Sequence, residues 1–562
     1  MDRHGHATHI DDKDLHTTST DTDAHLPYSP TSASASADSD TETLDQPDSL
    51  ELSRIETHRL QQKTTVGSTR GPQPRETWLP MGAGKEYPPL LPDPEDFVVE
   101  FDGAGDPLHP IFLVCILSYS TFATSFTSAV FSAGISAVTE EFHVGTEVGS
   151  LGVTLYVLGF AAGPIAWAPM SELVGRRLPI CLGVFGCGIF TIAGGTAKDI
   201  QTVMLTRFFA GLFAASPVSV VPAVFADLFS TAQRGIVMSV FCMAVFIGPF
   251  AAPFVGGFIA MTLGWRWIHY ISAIMVFLGF VLALCFMDET YAPVILVHKA
   301  AVLRRQTHNW GIHAKQDEVE VEFMELVRNN FTRPLKMLIS EPILLLVSLY
   351  ISFVYGLMYA LLGAYPVVFQ QVYGMNIGVG GLAFIGLIIG ELVGGAYVLT
   401  LQGSYRRKLE ANHGQPVPEW RLTPAIVGSV AFSAGLFWFG WCGYRDDIHW
   451  MAPVASGVLT GLGIFCIFLQ CFNYIVDCYP TFAASTIAAN TILRSALGCA
   501  FPLFSRQMME NLGVQWAGTL LGCIAAAMIP IPVLFRMYGP WLRQKSKLAC
   551  ASVYSPQKKG DV

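Results

Sequence analysis

The sequence predicts an all-α membrane protein in which twelve transmembrane helices form two pseudo-symmetric six-helix bundles. Three observations carry this. Of 562 residues, 52% are hydrophobic and 14% charged, whereas a soluble domain is roughly a quarter charged. The mean hydropathy of +0.45 comes from repeated apolar runs, each near the ~20 residues needed to cross a hydrocarbon core. The runs group as six, a polar segment, and six more. Backbone groups in lipid must hydrogen-bond within their own segment, so the runs read as helices.

Residues 1–109 are polar and rich in Ser, Thr and Asp, too poor in apolar surface to fold alone, and read as a disordered cytoplasmic tail. The formal net charge of -9 reflects acids crowded into that tail; nothing points to a nucleic-acid partner. His4, His6 and His9 have no fold around them, so no metal site is expected there. The first bundle covers 110–288, with runs near 110–132, 148–169, 178–197, 201–229, 236–260 and 267–287. A polar segment, 289–341, reads as a central cytoplasmic loop. The second bundle covers 342–537, with runs near 342–370, 379–401, 422–442, 449–472, 480–505 and 513–537, and 538–562 is a second cytoplasmic tail. The twelve cysteines form no Cys-x-x-Cys pair and read as small packing residues.

Orientation follows from Lys and Arg in the short loops. Arg176, Arg177, Arg234, Arg406, Arg407, Lys408 and Arg421 fall on one side, with the basic middle segment; the other side holds Lys198, Arg266, Arg445 and Arg506. Both termini are therefore expected in the cytoplasm. Ser404-Tyr405-Arg406-Arg407, after the eighth run, echoes Val174-Gly175-Arg176-Arg177 after the second. Six spans, a long inner loop and six more suggest an internally duplicated transporter with its site between the halves.

Several residues stand out from this apolar background. Arg207 lies inside the fourth run, where an arginine costs roughly 3 kcal/mol on insertion scales and must face a cavity or a partner. Two roles fit it: tuning a proton-binding group, or reaching for backbone carbonyls and the outer interface. Glu391 lies near mid-depth in the eighth run. A carboxyl is costly there when charged, which suits a reversible proton carrier or the partner of a cationic substrate; a carboxyl bonded to a neighbouring helix fits as well. Arg494 sits near mid-depth in the eleventh run. Gly248, Gly256 and Gly257, with Pro249 and Pro253, strip one face of the fifth run and bend it.

Beyond these features, the sequence resembles the major facilitator superfamily, and within it the fungal twelve-span drug:proton antiporters. Ala168-Pro169-Met170-Ser171-Glu172-Leu173-Val174-Gly175-Arg176-Arg177 is similar to the family's inner-loop motif Gly-x-Leu-Ala-Asp-Arg-x-Gly-Arg-Arg, with Ala168 and Leu173 as departures. Arg207-Phe208-Phe209-Ala210-Gly211 resembles its Arg-x-x-x-Gly motif. Gly248-Pro249-Phe250-Ala251-Ala252-Pro253-Phe254-Val255-Gly256-Gly257 resembles the antiporter motif Gly-Pro-x-x-Gly-Pro-x-x-Gly-Gly. Asp288-Glu289-Thr290-Tyr291 and the stretch from Asn473 through Asn490 to Arg494 look like the same group. The likeness covers roughly 95–540.

The resemblance implies a proton-coupled exporter of small organic molecules in the plasma membrane, monomeric and without a cofactor. It assigns proton coupling to Arg207, and Glu391 joins it on its burial alone, since no family motif covers that residue. It assigns an inner gate to Glu172, Gly175, Arg176, Arg177 and Asp227, and an outer seal to Gly248, Pro249, Gly256 and Gly257. Asn473, Asn490 and Arg494 are candidates to line the cavity. The same fold running as a proton-coupled uptake or exchange system for an organic acid or polyamine is the competing reading. No His-Glu-x-x-His and no Gly-x-x-x-x-Gly-Lys-Ser/Thr stretch occurs, so neither metal catalysis nor ATP drive is supported, and the chain does not read as an enzyme.

Overall fold

A computed structural model describes residues 110–307, 312–314, 323–412, 417–479, 482–546 and 548. The N-terminal tail with His4, His6 and His9, and the end of the C-terminal tail, lie outside the described residues. Twelve helices among the described residues are long and apolar enough to span a membrane. The even number returns the chain to the face it started from. We call that face, which carries Arg176 and Arg177, the basic face.

The first half contains α1 (Pro110–Val130), continued through a short 3-10 turn into α2 (Ile135–Glu141), then α3 (Thr146–Leu173), α4 (Arg177–Gly195), α5 (Ile200–Leu228), α6 (Thr231–Thr262) and α7 (Trp265–Phe286). Asp199 caps α5, its carboxylate accepting from the Thr202 amide at 2.8 Å, which satisfies one of the donors a helix start leaves open. The second half contains α10 (Pro342–Pro366), α11 (Ile377–Leu382), α12 (Ile385–Ala411), α13 (Thr423–Cys442), α14 (Met451–Cys478), α15 (Ala483–Leu512), α16 (Val514–Met528) and α17 (Pro530–Lys545). The last two form a single span with a break at Ile529.

The segment between the halves is not simply a loop. It carries α8 (Ala292–Thr307) and α9 (Phe323–Ser340). A search for long apolar runs passes over such helices because only one stripe of each is apolar. Leu296 and Ala300 of α8 are buried against Ala314, and α9 buries Met337 and Leu338.

The two halves repeat one packing scheme. The second span crosses the fourth (α3 on α5, α12 on α14) and the third lies along the fourth (α4 on α5, α13 on α14). The first packs on the fifth (α1 on α6, α10 on α15) and the third on the sixth (α4 on α7, α13 on α16). Small residues permit the tight crossings. Where α12 meets α14, Gly390 lies against the Val458 carbonyl and Gly461 against the Leu387 carbonyl. In lipid, helix association relies on such close packing rather than on expulsion of water.

Two seams join the halves: α3 against α15, and α6 against α11 and α12. Besides them, Phe246 of α6 meets Phe468 of α14 edge-on, centroids 4.6 Å apart, and Ser128 of α1 shares a 2.8 Å hydrogen bond with Tyr359 of α10. Gly461→Leu should lower the thermal unfolding temperature of purified protein, because the added side chain has only backbone to displace. An unchanged midpoint would show that α12 and α14 do not cross this closely.

Candidate functional site

The basic face holds a polar cluster at the turn between α3 and α4. Gly175 has φ +100°, a conformation L side chains rarely adopt. A Cβ there would also run into the Glu289 carboxylate. That carboxylate accepts from the backbone amides of Arg176 at 2.7 Å and Arg177 at 3.2 Å, and from Thr290 and Tyr291 at 2.9 Å each. Arg176 reaches from this turn to Asp227 at the end of α5, Nη2 to Oδ2 3.2 Å, and donates to Ser171 Oγ at 2.6 Å. Its guanidinium lies 4.6 Å from the Tyr291 ring centroid. Burial works against the Arg176 charge, yet Asp227, Tyr291 and Glu172 together hold its pKa above the ordinary arginine range. Arg177 donates to the Leu284 carbonyl at 2.9 Å.

Glu172, Arg176 and Asp227 are thus brought together, Glu172 through electrostatic reach of Arg176 rather than a bond in hand. Glu289, Tyr291 and Ser171 complete the cluster. Their signal was in the sequence, since Asp288-Glu289-Thr290-Tyr291 matched a family stretch, but only folding shows that it closes over the turn. The cluster also bridges the halves. Arg333 of α9 lies within electrostatic reach of Glu172 and sits 4.3 Å from the Phe482 ring centroid, just before α15.

The second half has a matching pair in a different place. Arg421, before α13, binds Asp477 at the end of α14, both side chains almost fully buried. The sequence echo at Ser404–Arg407 pointed elsewhere. Arg406 and Arg407 are exposed on α12, Arg406 pairing with Glu410 one turn on at 2.9 Å. The helix does not stop at the echo but runs to Ala411, so the turn that corresponds to Gly175–Arg177 comes later.

At the opposite end of α6 the glycines divide their work. A Cβ on Gly248 would meet the Phe126 amide nitrogen of α1 at 2.8 Å, and one on Gly256 would meet Val130 at 2.9 Å. Both contacts stay within the first half. Only Gly257 faces the second half, where a Cβ would lie 2.8 Å from the Ile377 carbonyl and 3.0 Å from Gly378 Cα. Pro249 lies within α6. The Pro253 carbonyl backs onto Gly381, 2.7 Å from where its Cβ would be, and Gly378 donates to Met261 Sδ at 3.3 Å. Gly378 and Gly381 were not foreseen; they lie in a Gly-rich stretch that matches no family motif quoted above.

Between these two closures lie the buried polar groups. Arg207 is 2% exposed and donates to three backbone carbonyls: Gly152 at 2.9 Å, Thr127 at 2.7 Å and Ser128 at 2.7 Å. The Tyr156 ring covers it at 4.4 Å. This is a clamp that ties α5 to α1 and α3, and no carboxylate is among its bonded partners. Glu391 is 0% exposed, and neither carboxyl oxygen has a hydrogen-bond partner. Cys242 of α6 lies within electrostatic reach of both Glu391 and Arg494. Arg494 stacks over Tyr355 at 4.5 Å and Phe468 at 5.0 Å, and its Nε has no partner. Asn490 donates to Ser348 at 3.1 Å and leaves its Oδ1 unpaired. Asn473 is buried on α14. Among the described residues no cluster of three or more His, Cys, Asp or Glu is placed to hold a metal.

Comparison with known proteins places this architecture. The family model described as Major Facilitator Superfamily matches residues 117–502. The chain belongs to the Major Facilitator Superfamily. It is 46% identical over 479 residues to Multidrug transporter TPO1_2 of Candida glabrata, covering 84% of this chain and 83% of that one. It is 43% identical over 513 residues to the multidrug transporter FLU1 of Candida albicans, covering 89% and 83%. Solved structures share the fold at low identity. A proton:xylose symporter, XylE, matches with TM-score 0.52 at 14% identity over 75% of this chain and 94% of that chain. A POT family transporter in complex with 5-aminolevulinic acid matches with TM-score 0.51 at 13% identity over 76% and 96%. This member of the superfamily is therefore a multi-pass membrane transporter and not an enzyme.

The superfamily chain should cross-link where its halves meet. Oxidation of a Gly257→Cys, Gly378→Cys pair should join α6 to α11, while Gly256→Cys with Gly378→Cys should not, as read by gel shift after cleavage between the halves. Equal cross-linking of the two pairs would remove the distinction between Gly256 and Gly257. Asp227→Asn should leave Arg176 buried without its countercharge, a loss of ~3–5 kcal/mol visible in the unfolding temperature.

Proposed function

We propose that this transporter exports small organic molecules in exchange for protons by alternating access, working as a monomer in the plasma membrane with the basic face in the cytoplasm. The observation that carries the reading is Glu391, a carboxyl with no exposure and no hydrogen-bond partner on either oxygen. A buried carboxylate without a partner is strongly disfavoured, so the group holds a proton until something else satisfies it. A substrate bearing a positive charge or a hydrogen-bond donor supplies that alternative. Proton and substrate then occupy the site by turns, which is the logic of exchange.

The rest of the geometry supports this division of labour. The Arg176–Asp227 and Arg421–Asp477 pairs, with Arg333 between the halves, serve as the closure on the basic face. Gly257 against Ile377 and Gly378 serves as the closure on the other. Arg207 acts as a scaffold clamp, leaving proton handling to Glu391 and the nearby Arg494. Gly248, Pro249 and Gly256 shape α6 against α1 so that Gly257 reaches the second half. The two relatives, both multidrug transporters, favour apolar drugs and toxins as cargo over a single nutrient.

The test uses purified protein in liposomes, a panel of apolar organic dyes and drugs, and a pH-sensitive dye trapped inside. Transport should need an imposed proton gradient and should carry protons the other way. Equal transport after an ionophore collapses the gradient would sink the antiport reading. Glu391→Gln should abolish acceleration by the gradient while leaving substrate–substrate exchange in place. Wild-type pH dependence in that variant would return Glu391 to a packing role.

A further inference from the structure

A second polar site lies away from the central groups, at the basic-face end of the second half. A cavity of about 90 Å³ opens between α12, α13 and α14. Its lining mixes apolar residues, Val398, Leu401 and Pro424, with polar ones that include Gln402, Gln470, Tyr405, Lys408 and Arg421. Arg421 is 5% exposed and Tyr405 8%. The guanidinium stacks over the Tyr405 ring at 4.4 Å, and its Nε is taken by Asp477. Its Nη2 and the Tyr405 hydroxyl are buried and make no hydrogen bond of good geometry, though the two side chains lie within reach of each other. Two buried donors without acceptors, lining the same cavity, cost ~1–3 kcal/mol each unless a ligand meets them.

The charge around them has one sign in excess. Lys408 is exposed on the same side of α12 as Tyr405, and Arg234, at the start of α6, is within electrostatic reach of the Tyr405 hydroxyl. Against these and Arg421 stands Asp477, already engaged. The missing partner is therefore an anion with several acceptor oxygens. A phosphate group accepts from a guanidinium, a phenol and an ammonium at once, each on a different oxygen, which a planar carboxylate does less well. The apolar lining residues Val398 and Leu401 belong to the membrane-spanning part of α12, where the non-polar part of an amphiphile would lie.

We propose that this cavity binds a phosphate group, either as the monoester headgroup of a membrane lipid or as free phosphate, through Arg421, Tyr405 and Lys408. Its position gives the site a consequence. Gln402 and Arg421 press on Gly235 of α6, 2.9 and 3.2 Å from where a Cβ would stand, so the occupied site ties the first half to the second on the basic face. Bound phosphate then favours the conformation closed on that face.

The experiment measures binding to the full chain by native mass spectrometry and by unfolding temperature. Three probes separate the sources: inorganic phosphate in detergent, nanodiscs of phosphatidylcholine doped with phosphatidic acid, and phosphatidylcholine alone. Retention of phosphatidic acid without an effect of inorganic phosphate identifies a headgroup site; stabilisation by inorganic phosphate as well identifies a site for the phosphate group from either source. Tyr405→Phe, which keeps the ring under Arg421, and Lys408→Gln should each weaken binding about tenfold, and Lys408→Arg should restore it. The proposal is overturned if neither probe binds more tightly than phosphatidylcholine, or if Tyr405→Phe and Lys408→Gln bind as the wild type does.

Discussion

A charge inside a low-dielectric layer has to be matched, and much of this molecule follows from how it meets that constraint. Arg207, Arg176 and Arg421 are nearly inaccessible, and they are answered in two ways. Arg207 uses three backbone carbonyls from α1 and α3. Arg176 and Arg421 use carboxylates at the ends of α5 and α14. The first solution is static, because carbonyls near helix ends do not move independently of the helices. The second joins groups from different helix ends, which separate when the ends do. A carbonyl-bound arginine and two ion pairs result from the same constraint.

Glu391 is the exception, a buried carboxyl with no hydrogen-bond partner, and the proposed exchange rests on it. A protein that gained nothing from this carboxyl would lose little by replacing it with Leu or Gln, since its oxygens bond to nothing among the described residues. Its surroundings keep it near the seam. Gly390 and Gly394 beside it press α12 onto α14, while Gly395 touches Met243 of α6 across the two halves. The glycines on either side thus hold an ionisable group at the boundary between the halves. Arg494 and Asn490, each with an unpaired atom of its own, face the same problem from α15.

Duplication gives the fold its economy and also its divergence. The packing partners repeat from one half to the other, span for span, and Asp477 repeats the part of Asp227. The arginines that answer them do not repeat in sequence position. Arg176 follows a sharp glycine turn directly after α3, whereas Arg421 comes after α12 has run on past Arg406 and Arg407. A cavity lies beside Arg421, lined from α12, α13 and α14.

The sequence by itself determined the class of fold, the twelve spans and the family. These depend on apolar run length and short contiguous motifs, both of which survive without any knowledge of contacts. It also marked Glu391 as anomalous, because the cost of a carboxyl at depth depends on depth alone. Only the tertiary structure decided what the polar residues touch. It separated Gly257 from Gly256, adjacent residues that face different halves because one helical step is about 100°. It gave Arg207 three backbone carbonyls as acceptors, contacts that no motif encodes. It put Arg421 against Asp477 while Arg406 and Arg407 of the sequence echo stay exposed, and showed α8 and α9 in the central segment. In each case the deciding quantity was a distance between residues far apart in the chain, set by how the helices cross.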